Sequence, residues 1–464
     1  MSRSTFTSPA SRREFLKRSA ALSLLGSGSG WALNLASIGE AAAATANDYK
    51  ALVCIFLYGG NDNGNTLIPY DGTTFAAYQS LRGGLAYTQS DLAATVLTPS
   101  TPLADPSRQF ALAPELSKLL PIFNAGKLAV LLNIGTLVGP TTKAQYVANS
   151  VPLPPKLFSH NDQQSYWQSS APEGSTTGWG GRIGDLFQAG NGTATFTCVN
   201  VSGNAVFMSG RNAVQYQVTP NGSVPIRAIS TPMYGSQQCS SLLQSLITAP
   251  RTHLMESAIN AITSRSITAN TQLTSALTSA TAFSTAFDAT NPLAAQLKMV
   301  ARMIASSAAV GARRQVFFVS YGGFDNHSSL NALHPGLLTT VASAMASFHQ
   351  ATIDLNVANQ VTTFTASDFG RTMTTNGSGS DHGWGSFHFV SGGAVRGGQF
   401  YGTAPTWGNN GPDDVGQGRF VPTLAVDQLA SSLAGWFGVP AGQLSTVVPN
   451  AGNYNPASLN IGFI

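Results

Sequence analysis

Four apolar runs have the length and composition of strands that are buried on both faces. Residues 51–58 are continuously apolar, and apolar side chains dominate residues 127–134, 313–320 and 361–366. Strands covered on both faces are typical of a parallel sheet flanked by helices, whereas half-exposed strands alternate apolar and polar residues. The pattern therefore predicts a buried sheet that is mostly parallel. A further apolar run, residues 387–390, leads into a glycine-rich turn.

Helical spacing separates the predicted strands. Apolar residues recur at intervals of three and four in residues 292–312 and 423–437, and residues 114–125 and 337–355 also have helical patterns. Strands that alternate with helices indicate an α/β fold. The chain is long enough for one large α/β domain or two smaller ones.

Residues 203–292 are predicted to form a helical insertion in this pattern. From about residue 240 to residue 287 the chain is rich in Ala, Ser and Thr, with apolar residues at roughly three- and four-residue spacing. We expect this segment to form a cap or flank beside the main fold. His253 lies within it, and nothing in its surroundings suggests a ligand.

The first 46 residues have the features of a twin-arginine export signal. Arg12 and Arg13 precede Lys17 at the spacing of that signal, and a mildly apolar region and a run of small residues follow. Glycines and serines interrupt the apolar region, which favours a cleaved signal over a membrane anchor. We therefore expect a mature domain of residues 47–464, the twin-arginine translocase as the export partner, and a periplasmic or secreted location.

The charge of the chain gives no support to nucleic-acid binding. The full sequence has a formal net charge of +4, of which the predicted signal carries +3, so the mature chain is close to +1. Nucleic-acid binding requires a strongly basic surface. No apolar segment after the signal predicts a transmembrane helix, so we expect a soluble mature protein with no stable membrane anchor.

The cysteine pattern excludes a disulfide framework and a zinc ribbon. Cys54, Cys198 and Cys239 are odd in number and widely spaced. Cys54 lies within an apolar run and is expected in the core. Cys198 and Cys239 could pair in an oxidising compartment, or remain free thiols.

Residues 361–402 concentrate side chains that bind metals. Asp368, Asp381, His382 and His388 occur within 21 residues of a chain in which only 9% of residues are charged. Carboxylate and imidazole groups just after a buried strand are the ligands that a hard or borderline divalent metal uses. The alternative is that Asp368 caps the next segment and the loop is merely polar.

Two other strand ends carry candidate ligands. Asp325 and His327 follow the third long strand, and in an extended segment their spacing directs both side chains to the same side. Asp62 follows the first strand in a turn of Gly, Asn and Asp, with Asn65 beside it. Ligands of α/β folds bind at the carboxyl ends of strands, but the same residues also form ordinary turns.

Ser159 precedes a predicted helix and has two alternative roles. A serine at this position commonly caps the helix by accepting a backbone hydrogen bond. The same position suits a nucleophile, because a helix N-terminus stabilises an anion. The sequence alone does not show whether Ser159 and its neighbour His160 face a site.

Five motifs together resemble the DUF1501 family of twin-arginine-exported proteins. They are FLYGGND from Phe56, FSH from Phe158, GFDNH from Gly323, SDFGRT from Ser367 and SDHGWG from Ser380. The resemblance covers essentially the whole mature chain in the right order. The family is similar to the alkaline phosphatase and sulfatase superfamily. The resemblance therefore implies a three-layer sandwich, with helices on both faces of a mostly parallel central sheet and a metal site at the strand ends.

The resemblance also implies roles for individual residues. It places a nucleophile near Ser159. In our leading hypothesis Ser159 would attack the ester, and Arg371 or Asn65 would hold the oxyanion. A divalent metal is implied, with zinc, manganese, calcium and magnesium as the candidates, in a centre of the two-metal type. The implied metal ligands are Asp62, Asp325, His327, Asp368, and Asp381 or His382.

The chain departs from the superfamily pattern in two places. Phe369 follows Asp368 where a histidine is common, and the Cys-x-Pro-x-Arg motif of sulfatases is absent. The leading hypothesis is an exported metal-dependent hydrolase of a small-molecule or polymeric phosphate or sulfate ester. The alternative is an exported binding or assembly protein that keeps the fold without catalysis. A redox protein is disfavoured, since the sequence has no dinucleotide, haem or iron–sulfur motif.

Overall fold

A mixed, mostly parallel sheet of nine strands forms the centre of the fold. The computed structural model describes residues 48–464, so the predicted export signal lies outside the described residues. The strands are β1 (Lys50–Leu57), β2 (Leu67–Pro69), β3 (Phe110–Leu112), β4 (Leu128–Gly135), β5 (Cys198–Asn200), β6 (Tyr216–Gln217), β7 (Arg314–Tyr321), β8 (Val361–Ser367), β9 (Arg371–Thr375), β10 (Ser380–His382), β11 (Ser386–Gly392), β12 (Gln399–Tyr401) and β13 (Leu424–Ala425).

The strand order of the main sheet is β12-β4-β11-β8-β1-β7-β5-β6, and β13 also pairs with β4. β1 lies between β7 and β8 and is parallel to both. β11 is antiparallel to its neighbours β4 and β8, which makes the sheet mixed. The four long strands expected from the apolar runs are all present, and the carboxyl ends of β1, β7 and β8 meet at one edge.

Helices cover both faces of the sheet. Among residues 48–464, no helix combines the length and the apolar character that a bilayer span requires. The α-helices are α1 (Gly72–Arg82), α2 (Gln89–Leu92), α3 (Leu120–Asn124), α4 (Lys143–Ala148), α5 (His160–Ser169), α6 (Trp179–Phe187), α7 (Arg227–Ser230), α8 (Gln237–Thr248), α9 (Leu254–Thr278), α10 (Pro292–Ala305), α11 (Leu330–Asp354), α12 (Val426–Phe437) and α13 (Leu444–Val447).

Side chains of β1 alternate between two separate hydrophobic cores. Val53 and Ile55 belong to the core that contains the buried faces of α10 and α11. Cys54 and Phe56 belong to the core on the opposite face, which contains the buried faces of α6 and α12. Successive side chains of a strand point to opposite faces, so one fully buried strand joins both layers of helices. The predicted α/β fold, with helices on both faces of a mostly parallel sheet, is confirmed.

The predicted helix boundaries differ from the structure where proline is involved. α11 begins at Leu330, seven residues before the predicted start, and contains Pro335 in its second turn. Proline has no backbone N–H, so the carbonyl oxygen of Asn331 lacks its helical donor, and sequence pattern alone favours a helix that begins after Pro335. The helix predicted over residues 114–125 is a 3₁₀ segment, Pro114–Leu119, followed by the short α3.

The segment from residue 203 to residue 292 contains α7, α8 and α9, together with β6 at the edge of the main sheet. α9 reaches the main core through Ala269, Leu273 and Ala276. All three cysteines are free thiols, so Cys198 and Cys239 do not pair. Cys198 is buried in β5 of the sheet, whereas Cys239 belongs to helix α8.

Candidate metal centre

Two strand ends of the main sheet, one strand of the separate β9–β10 pair and one helix N-terminus contribute residues to a site at the carboxyl edge of the main sheet. β7 leads to Asp325 and His327, β8 leads to Asp368, and β10 carries His382. α5 begins at His160. Because β1, β7 and β8 are parallel neighbours, the loops that follow them are brought together, although more than 160 residues separate His160 from Asp325.

The imidazole rings of His160, His327 and His382 surround the carboxylate of Asp325. The Nε2 atom of His327 lies 2.9 Å from Asp325 Oδ1, and that of His382 lies 3.3 Å from the same oxygen. The Nε2 atom of His160 lies 3.4 Å from Asp325 Oδ2. We call these four residues the histidine cluster. The side chain of Asp325 is 45% exposed, so the cluster is open to solvent.

The second nitrogen of each ring has its own partner. His382 Nδ1 lies 2.7 Å from the carbonyl oxygen of Phe158, and because a carbonyl only accepts, Nδ1 carries the proton. His160 Nδ1 lies 2.6 Å from Asp368 Oδ2. His327 Nδ1 lies 3.2 Å from Asp381 Oδ1. Each ring therefore has Nδ1 in a hydrogen bond and Nε2 directed into the cluster, which is the arrangement of metal-binding histidines.

Asp368 supports His160 from beneath the cluster. The carboxylate is fully buried, and its Oδ2 atom also accepts from the backbone N–H of Gly59 and from Gln164 Nε2, at 3.1 and 2.8 Å. Its Oδ1 atom is buried without a hydrogen-bond partner in the described part of the chain. The hydrogen bond to Asp368 raises the pKa of His160. The structure places Asp368 behind the ring of His160.

Arg371 holds Asp325 in place. Its guanidinium group is fully buried and donates to Asp325 Oδ1, to the carbonyl oxygens of Gly60 and Ser380, and to that of Gly59. Burial acts to raise the pKa of Asp325, but Arg371 and the neighbouring histidines outweigh it and lower that pKa. These hydrogen bonds hold the loop and the carboxylate in place, and the oxyanion role of Arg371 stays a prediction.

Asp62 and Asn65 are buried apart from the histidine cluster, and their predicted roles stay predictions. Asp62 is fully buried, pairs with Arg82 at 2.5 Å and accepts from Ser380 Oγ at 3.0 Å. Asn65 donates to the carbonyl oxygen of Leu85 and accepts from the hydroxyl of Tyr78. Helix α1 supplies Arg82 and Tyr78, so both side chains turn inward, and the structure does not bring them to the histidine cluster.

Ser159 lies directly before the cluster without contributing to it. Its hydroxyl donates to Asp162 Oδ2 at 3.0 Å, and it makes no side-chain cap for α5. Asp162 is buried and also lies 3.7 Å from Lys156 Nζ. The role of Ser159 as a nucleophile stays a prediction.

His160 is the ligand candidate that the sequence leaves unassigned. The signal for it is present in the FSH motif from Phe158, but the resemblance directs attention to the serine. Phe369, which replaces the expected histidine after Asp368, packs against the rings of His160 and His382 with centroids 4.9 and 4.6 Å away. The histidine expected after Asp368 is absent, and His160 at the start of α5 supplies an imidazole ring to the cluster in its place.

His388 lies away from the cluster. It is buried in β11, where its ring packs against Trp167 and its Nδ1 atom lies 3.1 Å from Thr365 Oγ1. Burial lowers the pKa of His388 to about 3, so it is neutral at physiological pH. His388 occurs among the candidate ligands of residues 361–402 because β11 is part of the buried sheet, where its side chain packs in the core.

The comparisons with known proteins give one family and several distant structures. The profile of a family described as "Protein of unknown function (DUF1501)" matches residues 49–425. No curated protein matches the chain.

The solved structures that it resembles include Ps i-CgsB, crystallised in complex with k-i-k-neocarrahexaose, at 10% identity and a TM-score of 0.37, covering 88% of this chain and 78% of that one. The PsFucS1 sulfatase from Pseudoalteromonas sp. is 9% identical with a TM-score of 0.33, over 87% and 70% of the two chains. The C-terminal periplasmic domain of EcEptC from Escherichia coli is 11% identical with a TM-score of 0.31, over 88% of both.

Proposed function

The chain belongs to the DUF1501 family, and from the geometry of its histidine cluster we propose that it is an exported metal-dependent hydrolase of phosphate or sulfate esters. The observation that carries the proposal is the group formed by His160, Asp325 and His382, whose candidate ligand atoms all lie within 4.8 Å of one another. The two rings each hold their other nitrogen in a hydrogen bond, which fixes the tautomer that a divalent metal requires.

The chemistry of the donor set fits a divalent metal. His160, Asp325 and His382 would hold it, and when bound such an ion supplies charge to polarise an ester oxygen and to lower the pKa of water. Arg371 fixes the direction of Asp325, and Phe369 forms the floor on which two of the rings pack. These contacts keep the ligands in place before a substrate arrives.

Basic groups at the rim of the cluster favour an anionic substrate. The Nε atom of Arg419 donates to the carbonyl oxygen of His382 at 2.8 Å, and its guanidinium group lies 5.1 Å from the ring centroid of Phe158. Lys156 precedes α5 with 70% of its side chain exposed, and its Nζ atom lies 3.7 Å from Asp162 Oδ2. Cationic groups next to a metal attract phosphate and sulfate esters and stabilise charge that develops during hydrolysis.

The hydrolase proposal is tested with a panel of aryl phosphate monoesters, phosphate diesters and sulfate esters. The exported protein, purified without chelator and supplied with zinc or manganese, should hydrolyse at least one class. Asp325→Ala should reduce that activity to background, because it removes the carboxylate on which the cluster converges. His253→Ala, in the exposed insertion, is the matched control. Activity that survives Asp325→Ala would rule out this assignment.

The second candidate is an exported binding or assembly protein without catalysis. One observation favours it: the hydroxyl of Ser159 is engaged by Asp162, and the predicted oxyanion groups of Asn65 and Arg371 are engaged by the fold. A site that binds metal but has no free nucleophile or oxyanion donor would serve structure or ligand binding. Retention of metal without turnover of any ester in the panel would favour this candidate.

Export is part of the proposal and has its own test. The twin-arginine motif predicts that replacing Arg12 and Arg13 by lysine keeps the protein in the cytoplasm. Cell fractionation and immunoblotting should show the unchanged protein in the periplasm or the medium, shortened at its N-terminus. Equal export of the two proteins would contradict the predicted signal.

A further inference from the structure

The Nε2 atoms of His327 and His382 lie only 2.9 Å apart. His382 Nδ1 is protonated, because it faces the carbonyl of Phe158, so its Nε2 atom presents a lone pair. His327 Nδ1 lies 3.2 Å from Asp381 Oδ1, and its Nε2 atom lies 2.9 Å from Asp325 Oδ1. Two imidazole nitrogens and one carboxylate oxygen within 3.3 Å of one another have the spacing of ligands around a tetrahedral metal ion.

We propose that the protein binds a single ion of zinc or a similar imidazole-preferring metal through four residues. Three are His160, Asp325 and His382, whose ligand atoms lie within 4.8 Å of one another, and the fourth is His327, whose Nε2 atom lies 2.9 Å from Asp325 Oδ1 and 2.9 Å from His382 Nε2. In this assignment Asp368 and Asp381 hold histidine rings and do not bind the ion. The inference rests on the metal-binding part of the proposed function, and it is independent of whether an ester is hydrolysed.

Nitrogen ligands decide which metal fits. Three imidazoles and one carboxylate form a four-ligand set of the type that zinc and other borderline divalent ions accept. Calcium and magnesium instead require mainly oxygen ligands, six or more for calcium. Of the four candidate metals, zinc, manganese, calcium and magnesium, the cluster therefore favours zinc and manganese, with zinc first because imidazole outnumbers carboxylate.

A second ion would need carboxylates that are already engaged. Asp62 pairs with Arg82 in the interior. Asp368 accepts three hydrogen bonds at Oδ2, one of them from His160. Asp381 faces His327 and also accepts from Asn376 Nδ2 at 3.0 Å. Among the described residues, one group of ligand atoms lies close enough together to hold an ion, and that group belongs to the histidine cluster.

Asp381 acts as a positioning residue for His327. Asn376 Nδ2 donates both to Asp381 Oδ1 and to the backbone carbonyl of His327, so the β9–β10 turn is tied to the loop after β7. The backbone N–H of Asp381 donates to Thr372 Oγ1 at 3.0 Å. Carboxylates that orient a metal-binding histidine typically change metal affinity about 10- to 100-fold when removed.

Zinc K-edge X-ray absorption on the exported protein tests the ligand set without any substrate. The spectrum of wild type loaded with zinc should show the scattering of three imidazoles and one oxygen ligand, at about one zinc per chain. His327→Ala should leave the scattering of two imidazoles and weaken zinc binding at least about 10-fold. His253→Ala should leave both the spectrum and the affinity unchanged.

The variant Asp381→Asn separates a positioning role from a ligand role. We expect about 10- to 100-fold weaker zinc binding, with an unchanged imidazole count once zinc saturates the site. Two ions per chain, preference for calcium over zinc, or an unchanged imidazole count in His327→Ala would overturn the proposal. If the spectrum shows three imidazoles but no ester of the panel is hydrolysed, the ligand set is supported and the hydrolase proposal is rejected.

Discussion

At the scale of single residues, the loop after β1 shapes the site through its backbone. Gly59 has a φ of +115°, and a Cβ atom there would lie 2.5 Å from the backbone nitrogen of Asp325. Its N–H donates to Asp368 and its carbonyl accepts from Arg371. Only glycine combines this conformation with so close an approach. The turn after β1, which the sequence predicts to supply metal ligands, therefore supports the ligand Asp325 that follows β7.

Gly59→Ala should lower the free energy of unfolding by about 1–3 kcal/mol and weaken zinc binding, since the strain displaces Asp325. The matched control is Gly322→Ala, where an added Cβ meets nothing within 4 Å. Urea denaturation with and without zinc measures both effects. Equal behaviour of the two variants would contradict the role given to Gly59.

At the scale of elements, the insertion is joined to the fold through one part of a long helix. The C-terminal half of α9 buries Ala269, Leu273 and Ala276 in the main core. Its N-terminal half leaves Leu254 and Met255 largely exposed. The repeating apolar residues of this segment predict a helix but do not show which half of it is buried.

Leu273→Ala should lower the free energy of unfolding by about 2–5 kcal/mol, because the side chain is fully buried and leaves a cavity. Leu254→Ala, with 81% of the residue exposed, should change it by less than about 0.5 kcal/mol. Urea denaturation followed by circular dichroism compares the two. Equal losses in the free energy of unfolding would contradict this packing, in which only the C-terminal half of α9 contacts the main core.

At the scale of the whole molecule, the fold follows from the sequence more fully than the site does. Long apolar runs specify strands such as β1 wherever they fold, because burial on both faces demands apolar residues throughout. The partners of a carboxylate depend on residues far away in the chain. Arg82 pairs with Asp62, and His160 at the start of α5 lies beside Asp325. The spacing of residues along the chain predicts neither contact.

One buried carboxyl group links the fold to pH. Asp427 lies in the first turn of α12, close to Ser170, Asn450 and Arg182, and burial raises its pKa to about 7. Folding raises the pKa of this carboxyl group from about 4 in the unfolded chain to about 7. The group therefore destabilises the folded state progressively as the pH rises from 4 to 7. The destabilisation is absent below pH 4 and complete above pH 7.

Asp427→Asn should therefore raise the free energy of unfolding by about 1–3 kcal/mol at pH 8 and change it little at pH 4. The exposed Asp105→Asn serves as the control and should show no gain at pH 8. Thermal unfolding across this pH range is the measurement. A gain of equal size at both pH values would indicate that the effect does not come from ionisation of Asp427.

The central claim, that the histidine cluster is a metal site, is tested most directly by the metal content of the exported protein. The protein should be purified without chelator and measured by elemental mass spectrometry, alongside Asp325→Ala, His160→Ala and His253→Ala. We predict about one zinc or manganese ion per chain in wild type and in His253→Ala, and loss of the ion from the other two. A folded wild-type protein without metal above background would contradict the account.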